Sequence, residues 1–268
     1  MTPLPFFQVD AFAGKPFEGN PAAVMPLTLW LPDAVMQAIA AENNLAETAF
    51  TVPSDRDDAD YDLRWFTPTV EVDLCGHATL ASAHILMKGA AIRFSTKSGI
   101  LVVTRDQDRL ALDLPAFPVE AGVEPGLLDA LGLPGDTPTF LSRGGNGAAI
   151  ALLDDEDAVR GVAPDFASLR TIDRLVIVTA PGDDSAVTSR VFAAFHGIDE
   201  DPVTGSAHAA LVPFWAEKLG RHHFTAFQAS KRGGHLECEY RPAVANPGND
   251  RVILGGHCVT VIEGHFQL

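Results

Sequence analysis

Residues 75–77 set a cysteine, a glycine and a histidine side by side in VDLCGHATLASAH. Residues 204–206 set Thr204, Gly205 and Ser206 at the head of a second alanine-rich run, in DEDPVTGSAHAAL. Gly76-His77-Ala78 therefore matches Gly205-Ser206-Ala207, with an aspartate a few residues upstream in each case, Asp73 and Asp201. Each glycine reads as a turn that opens a helix. The first N–H groups of a helix have no partner within it, and the helix dipole makes that end a ready anion site. Two such ends facing one cleft would hold a carboxylate without a basic side chain. Glycines that only permit close packing are the plainer alternative.

The candidates for proton transfer are Glu47, His77, Asp201 and Ser206. Glu47 lies in NNLAETAFTV, between a predicted helix and an apolar strand, where patterning does not explain an acid. A solvated strand end is the competing reading for Glu47, and a cap or turn residue for His77 and Asp201. Brought together, the carboxylates, imidazole and hydroxyl would form a general acid/base site. No metal is expected. His77 and His84 are seven apart, but no HExxH, CxxC or His-x-His pattern accompanies them, and His222-His223 are adjacent. The glycine-rich SRGGNGAA, 142–149, lacks the lysine of a phosphate loop, so no nucleotide site is expected.

The elements that must position these residues fall into two similar series. In the first, strands FFQVDAF and AAVMPL precede a helix through LPDAVMQAIAAEN, opened by Pro32 and Asp33. Strands ETAFTVP and DLRWFTP follow. The run from Cys75 to Gly89 is then a helix with almost no polar face, so it should be buried. Strands IRFSTKSG, ILVVTRD and RLALDLP, joined by short turns, indicate an antiparallel sheet. The proline-bearing LPAFPVEAG reads as an interdomain connection. Beyond it come helical EPGLLDALGL, strand GAAIALL, a helix near PDFASLRTI, strands LVIVTAP and VTSRVFAAF, and the second glycine-opened helix. FTAFQASKRGG, HLECEYRP, RVILGG and CVTVIEGHFQL all read as strands. Shared order and shared residues favour a duplicated unit, a sheet wrapped round a central helix.

Composition bounds the partners. The chain has 268 residues and 47% apolar content, enough for a large core. Its net charge of −16 opposes binding to nucleic acid or anionic lipid. No apolar run approaches the roughly 18 residues of a membrane span, and the start MTPLPFFQVDAF has no basic n-region, so a soluble, cytoplasmic protein is expected. Cys75, Cys238 and Cys258 are too few and scattered for a disulfide framework. Cys238 alternates with Leu236 and Tyr240 and reads as a buried strand thiol.

FQVDAFAGKPFEGNPAAV, NNLAETAF, VDLCGHATLASAH, GIDEDPVTGSAHAAL and SKRGG, in this order, closely resemble the PhzF-like family of phenazine-biosynthesis isomerases. The resemblance spans almost the whole chain. It implies an α+β, diaminopimelate-epimerase-like fold of two similar domains, each a mostly antiparallel, barrel-like curled sheet around a central helix, with the active site between them. The domains would be 1–115, with strand 258–268 returning to it, and 116–257. Carried over by motif, the catalytic group falls on Glu47, His77, Asp201 and Ser206, with Asn20, Gly76, Thr204 and Gly205 in substrate-binding positions. The family implies no cofactor and a homodimer. The related racemases carry a cysteine before each glycine. Here those positions are Cys75 and Thr204, and a threonine hydroxyl is far too weak an acid to replace a thiol. Cys75 is then a packing residue. The expected function is cofactor-independent isomerisation, moving a proton on a small carboxylate-bearing substrate. The alternatives are an epimerase or racemase of a small amino or hydroxy acid, and a small-acid-binding protein without catalysis.

Overall fold

The computed structural model describes residues 3–143, 147–243 and 248–268. Residues 144–146 of the glycine-rich SRGGNGAA lie outside them. The chain divides into two compact units, Met1–Asp113 with Gly255–Leu268, and Leu114–Leu254.

The first unit contains β1 (Pro3–Ala11), β2 (Asn20–Pro26), α1 (Asp33–Asn43), β3 (Glu47–Pro53), β4 (Tyr61–Phe66), β5 (Glu71–Val72), α2 (Gly76–Leu86), β6 (Ala91–Thr96), β7 (Gly99–Asp106) and most of β8 (Arg109–Pro115). The second contains β9 (Val119–Ala121), α3 (Leu127–Leu131), β10 (Thr139–Ser142), β11 (Ala148–Leu152), α4 (Glu156–Gly161), α5 (Phe166–Leu169), β12 (Leu175–Pro181), β13 (Val187–Ala193), β14 (Ile198–Asp201), α6 (Gly205–Leu219), β15 (His223–Gln228), β16 (Gly234–Arg241) and most of β17 (Arg251–Gly256). The last strand, β18 (Cys258–Gln267), belongs to the first unit, where it pairs antiparallel along the whole of β1.

Both units follow one topology. In the first, β1–β2 is antiparallel, β2–β3 parallel across α1, β3–β4 antiparallel, β4–β6 parallel across α2, and β6–β7 antiparallel. In the second, β10–β11 is antiparallel, β11–β12 parallel across α4 and α5, β12–β13 antiparallel, β13–β15 parallel across α6, and β15–β16 antiparallel. The pairs named here are mainly antiparallel, and each parallel one spans a helical crossover.

Strand alternation assigns the two faces. Phe50 and Val52 of β3 join Met36 and Ile39 of α1 in one apolar cluster. Because successive strand residues point to opposite sides, Glu47, Ala49 and Thr51 face the other way, toward α2. In β12, Val176, Val178 and Ala180 face the α3–α5 cluster, and Thr179 on the opposite face accepts a hydrogen bond from Trp215 of α6 at 3.0 Å. The residues of α2 from Gly76 to Ala83 are all buried. Its alanines and serine let the strands approach closely, as expected for a helix with no polar face.

Pro213 lies inside α6 and has no N–H to give the Ala209 carbonyl four residues back. Phe117 supplies the missing donor, N–H to Ala209 oxygen at 2.9 Å, so LPAFPVEAG is tied to α6 at this point. In the first unit, Gly19 has φ +65°, and a Cβ there would lie 2.1 Å from the Ala11 carbonyl oxygen, so glycine is required. That turn delivers Asn20 to the start of β2.

Candidate active site

In the first unit, Asn20, Glu47, Cys75 and His77 come together from β2, β3 and the start of α2. The inward alternation of β3 aims Glu47 at the helix, and Gly76 opens α2 so that His77 occupies its first turn. His77 Nε2 lies 3.1 Å from Glu47 Oε2. The contact falls short of hydrogen-bond alignment, and neither buried atom has another hydrogen-bond partner. The other ring nitrogen, Nδ1, lies 3.2 Å from Asn20 Nδ2 and 3.5 Å from Cys75 Sγ. The histidine side chain is only 4% exposed and that of Glu47 13%.

These contacts govern protonation. Burial pushes the Cys75 thiol up to about 11, and the charge of Glu47 adds to it, so Cys75 is a thiol at neutral pH. Burial presses His77 toward its neutral form, while Cys75 and Glu47 pull it upward, leaving it well above the ordinary histidine value. The pull from Cys75 requires a thiolate, so Glu47 exerts the effect that operates at neutral pH. A carboxylate, an imidazole and a thiol within 4.8 Å of one another also resemble a metal-ligand set. As placed, however, the imidazole spends one nitrogen on the thiol and the other on the carboxylate. A single ion takes only one nitrogen of a ring, so this placement does not present the three groups to one ion.

The second unit presents a different arrangement at the start of α6. Asp201 ends β14 and is buried, and its carboxylate accepts a hydrogen bond from the Thr204 hydroxyl. Gln228, fully buried at the end of β15, accepts from the Thr204 N–H at 2.8 Å and donates to the Asp201 carbonyl at 2.7 Å and the Thr204 hydroxyl at 3.2 Å. Gly205 is the first residue of α6, and Ser206, the second, is half-buried. One turn on, His208 Nδ1 lies 2.8 Å from the Thr204 carbonyl oxygen, and burial depresses its pKa to about 4, so Nδ1–H is the donor. His208 Nε2 is buried without a hydrogen-bond partner.

Cys75 and Thr204 occupy the same place, the N-cap of α2 and of α6, and neither side chain caps its helix. Threonine is a capable N-cap, but here its hydroxyl is turned to Asp201. By contrast, Asp155 and Asp165 cap the short helices α4 and α5.

The Asp73 and Asp201 match is corrected by the geometry. Asp73 stands three residues before Gly76 and Asp201 four before Gly205, so Asp73 aligns with Pro202. The hydrogen bonds agree: Ser98 donates to the Asp73 carbonyl at 2.7 Å, and Ser230 donates to that of Pro202 at 2.8 Å. The Asp73 side chain is 77% exposed beside Lys97, whereas Asp201 is buried.

Sequence reading passed over Gln228 and His208. The signal for Gln228 was its place after Phe224 and Ala226 on the buried face of β15, where a glutamine must find partners. It also passed over a repeat: GNPAAV, 19–24, recurs as GNGAAI, 145–150.

A protein-family model for phenazine biosynthesis-like proteins matches residues 9–264. The chain belongs to the PhzC-PhzF family. A Pseudomonas aeruginosa relative described as an uncharacterized isomerase is 47% identical over 272 residues, covering 99% of each chain. The crystal structure of a PhzF-family protein from Enterococcus faecalis superposes with a TM-score of 0.87 at 42% identity, covering both chains completely. A hydroxyproline epimerase from Agrobacterium vitis, with TM-score 0.63 and 14% identity over 99% of this chain and 91% of its own, shares the fold. Among the described residues, no helix is long and apolar enough to cross a membrane.

Proposed function

We propose that this chain is an isomerase that moves a proton on a small carboxylate-bearing substrate by general acid/base catalysis. The observation that carries the reading is the buried approach of Glu47 Oε2 to His77 Nε2 at 3.1 Å, with both atoms lacking a hydrogen bond of their own. A buried carboxylate oxygen without a donor is costly unless a reacting group or bound molecule supplies one. Glu47 removes and returns the proton. His77 holds the carboxylate in place and shares its charge, while Asn20 and Cys75 set the ring orientation. The uncapped N–H groups at Gly76-His77 are assigned to an acceptor of the substrate. In the second unit, Asp201, Thr204, Gly205 and Ser206 are the acid/base and binding candidates that the family resemblance implies. The 47% identical relative described as an isomerase supports the reaction class.

Threonine at the N-cap of α6 argues against a two-thiol racemase, and the neutral Cys75 adds to that argument. The test is proton exchange: a panel of small carboxylic acids is incubated with the protein in deuterated water and read by NMR. Wild-type protein should place deuterium on the carbon it deprotonates. Glu47→Gln, with the same shape and no base, should not. Equal exchange by both proteins would overturn the assignment of Glu47.

A further inference from the structure

The first unit holds a concave site that the proton chemistry does not use. A pocket of about 470 Å³ opens where the β7–β8 hairpin, the end of α2 and the corner before β18 meet. Arg105, His84, His257 and Gln107 line it, with one acid, Asp108, and Cys258 beside them. Its volume falls in the range of small-metabolite sites, roughly 300–1,000 Å³.

Arg105 is the unusual member. The chain carries 35 acidic residues against 19 Lys and Arg, so a counter-charge is easily found. Most arginines have one, including Arg64 with Glu71, Arg174 with Glu124 and Arg190 with Glu200. Arg105 is half-buried, yet among the described residues no acid pairs with it. Of the two acids at the turn of its own hairpin, Asp106 pairs with Arg109, and Asp108 lies 3.6 Å from His257 across the pocket wall. Its charge reaches His84, whose pKa is lowered by burial and then by Arg105. His84 also touches the Thr260 hydroxyl at 3.1 Å. A half-buried guanidinium with no counter-ion, flanked by two imidazoles and an amide, lacks an anion that such a fork binds through two oxygens at once.

We propose that this pocket binds a small doubly charged oxyanion, a phosphorylated or dicarboxylic metabolite, with Arg105 as the anchor and His84 and His257 as further donors. The site does not depend on the role of Glu47. The test is calorimetric titration of the full chain at low ionic strength with inorganic phosphate and, in a second arm, succinate. Saturable binding of either supports the proposal, and the arm that binds says whether phosphate or dicarboxylate is preferred. Arg105→Met should weaken that binding at least tenfold, while Glu47→Gln leaves it unchanged. In wild-type protein, which needs no folded variant, the bound anion should shift the imidazole NMR signals of His84 and His257 and leave those of His77 and His208 in place. Absence of binding in both arms, equal affinity of a folded Arg105→Met protein, or a shift confined to His77 would overturn it.

Discussion

The two units place the same helix start in the same topology and equip it with opposite chemistry. In parallel registers, Ala22 of β2 pairs with Glu47, and Ala148 of β11 pairs with Leu175. The carboxylate of the first unit therefore has a leucine as its counterpart. At the fourth residue of each helix a side chain bonds back to the N-cap carbonyl: Thr79 to Cys75 at 2.5 Å, and His208 to Thr204 at 2.8 Å. The backbone device is kept. The first unit leaves an acid and a histidine facing each other with unsatisfied atoms; the second also leaves His208 Nε2 without a partner but ties its acid, Asp201, to Thr204 under Gln228. One unit thus keeps a buried acid facing an imidazole, and the other ties its aspartate and threonine to a glutamine.

The largest test of that contrast is Glu47→Gln. If the first unit moves the proton, turnover should fall by about 10² to 10⁴, the usual weight of general acid/base catalysis, with the unfolding transition little changed. Glutamate introduced at Leu175, the counterpart of Glu47, should bring no exchange activity to a Glu47→Gln background. Retained turnover in folded Glu47→Gln would erase the distinction between the units.

Gln228→Leu should damage the second unit by a different route. It strips the side-chain acceptor from the buried Thr204 N–H and one donor from the Asp201 carbonyl. Denaturant unfolding should record a loss of about 1–3 kcal/mol, the usual cost of an orphaned buried group, where Glu47→Gln records little. If Gln228→Leu is as stable as wild type, the second unit is not held in the way described.

The pH dependence of stability should separate the two buried histidines. His208 has a folded pKa of about 4 against 6.5 for the ordinary residue, so between these values the unfolded chain takes up the proton and the folded chain does not. Its contribution is intact above pH 6.5 and is lost as pH falls toward 4, a total of roughly 3 kcal/mol at 1.36 kcal/mol per pKa unit. His77 is raised, so its contribution is present at low pH and lost as pH rises through its folded value. His208→Thr, which copies Thr79, should flatten the acid limb of the stability profile. An unchanged acid limb would remove His208 as its source.

The smallest effect is expected at Cys75. Ala in its place removes one buried contact to His77, with a stability cost of about 1–2 kcal/mol and most of the turnover retained. Complete loss of turnover in folded Cys75→Ala would make the thiol a reacting group and bring the first unit closer to a thiol racemase.

Much of this was determined by the sequence alone. Strand alternation in RLALDLP, the largely apolar, small-residue character of ATLASAHIL and the glycine before it dictate elements through local periodicity and backbone freedom, which need no distant partner. The paired glycine-opened helices show the duplication, and the motifs single out Glu47, His77, Asp201 and Ser206 as residues patterning does not explain. Tertiary structure decided which of these share an environment. Asn20, Glu47 and His77 are up to 57 positions apart, and strand register brings them together. Only the fold shows that Asn20 is spent on His77, that Asp73 is the partner of Pro202 and not of Asp201, and that Gln228 binds the Asp201 turn. The reason is physical: periodicity encodes which way a side chain faces, whereas hydrogen bonds and burial depend on what the rest of the chain places opposite it.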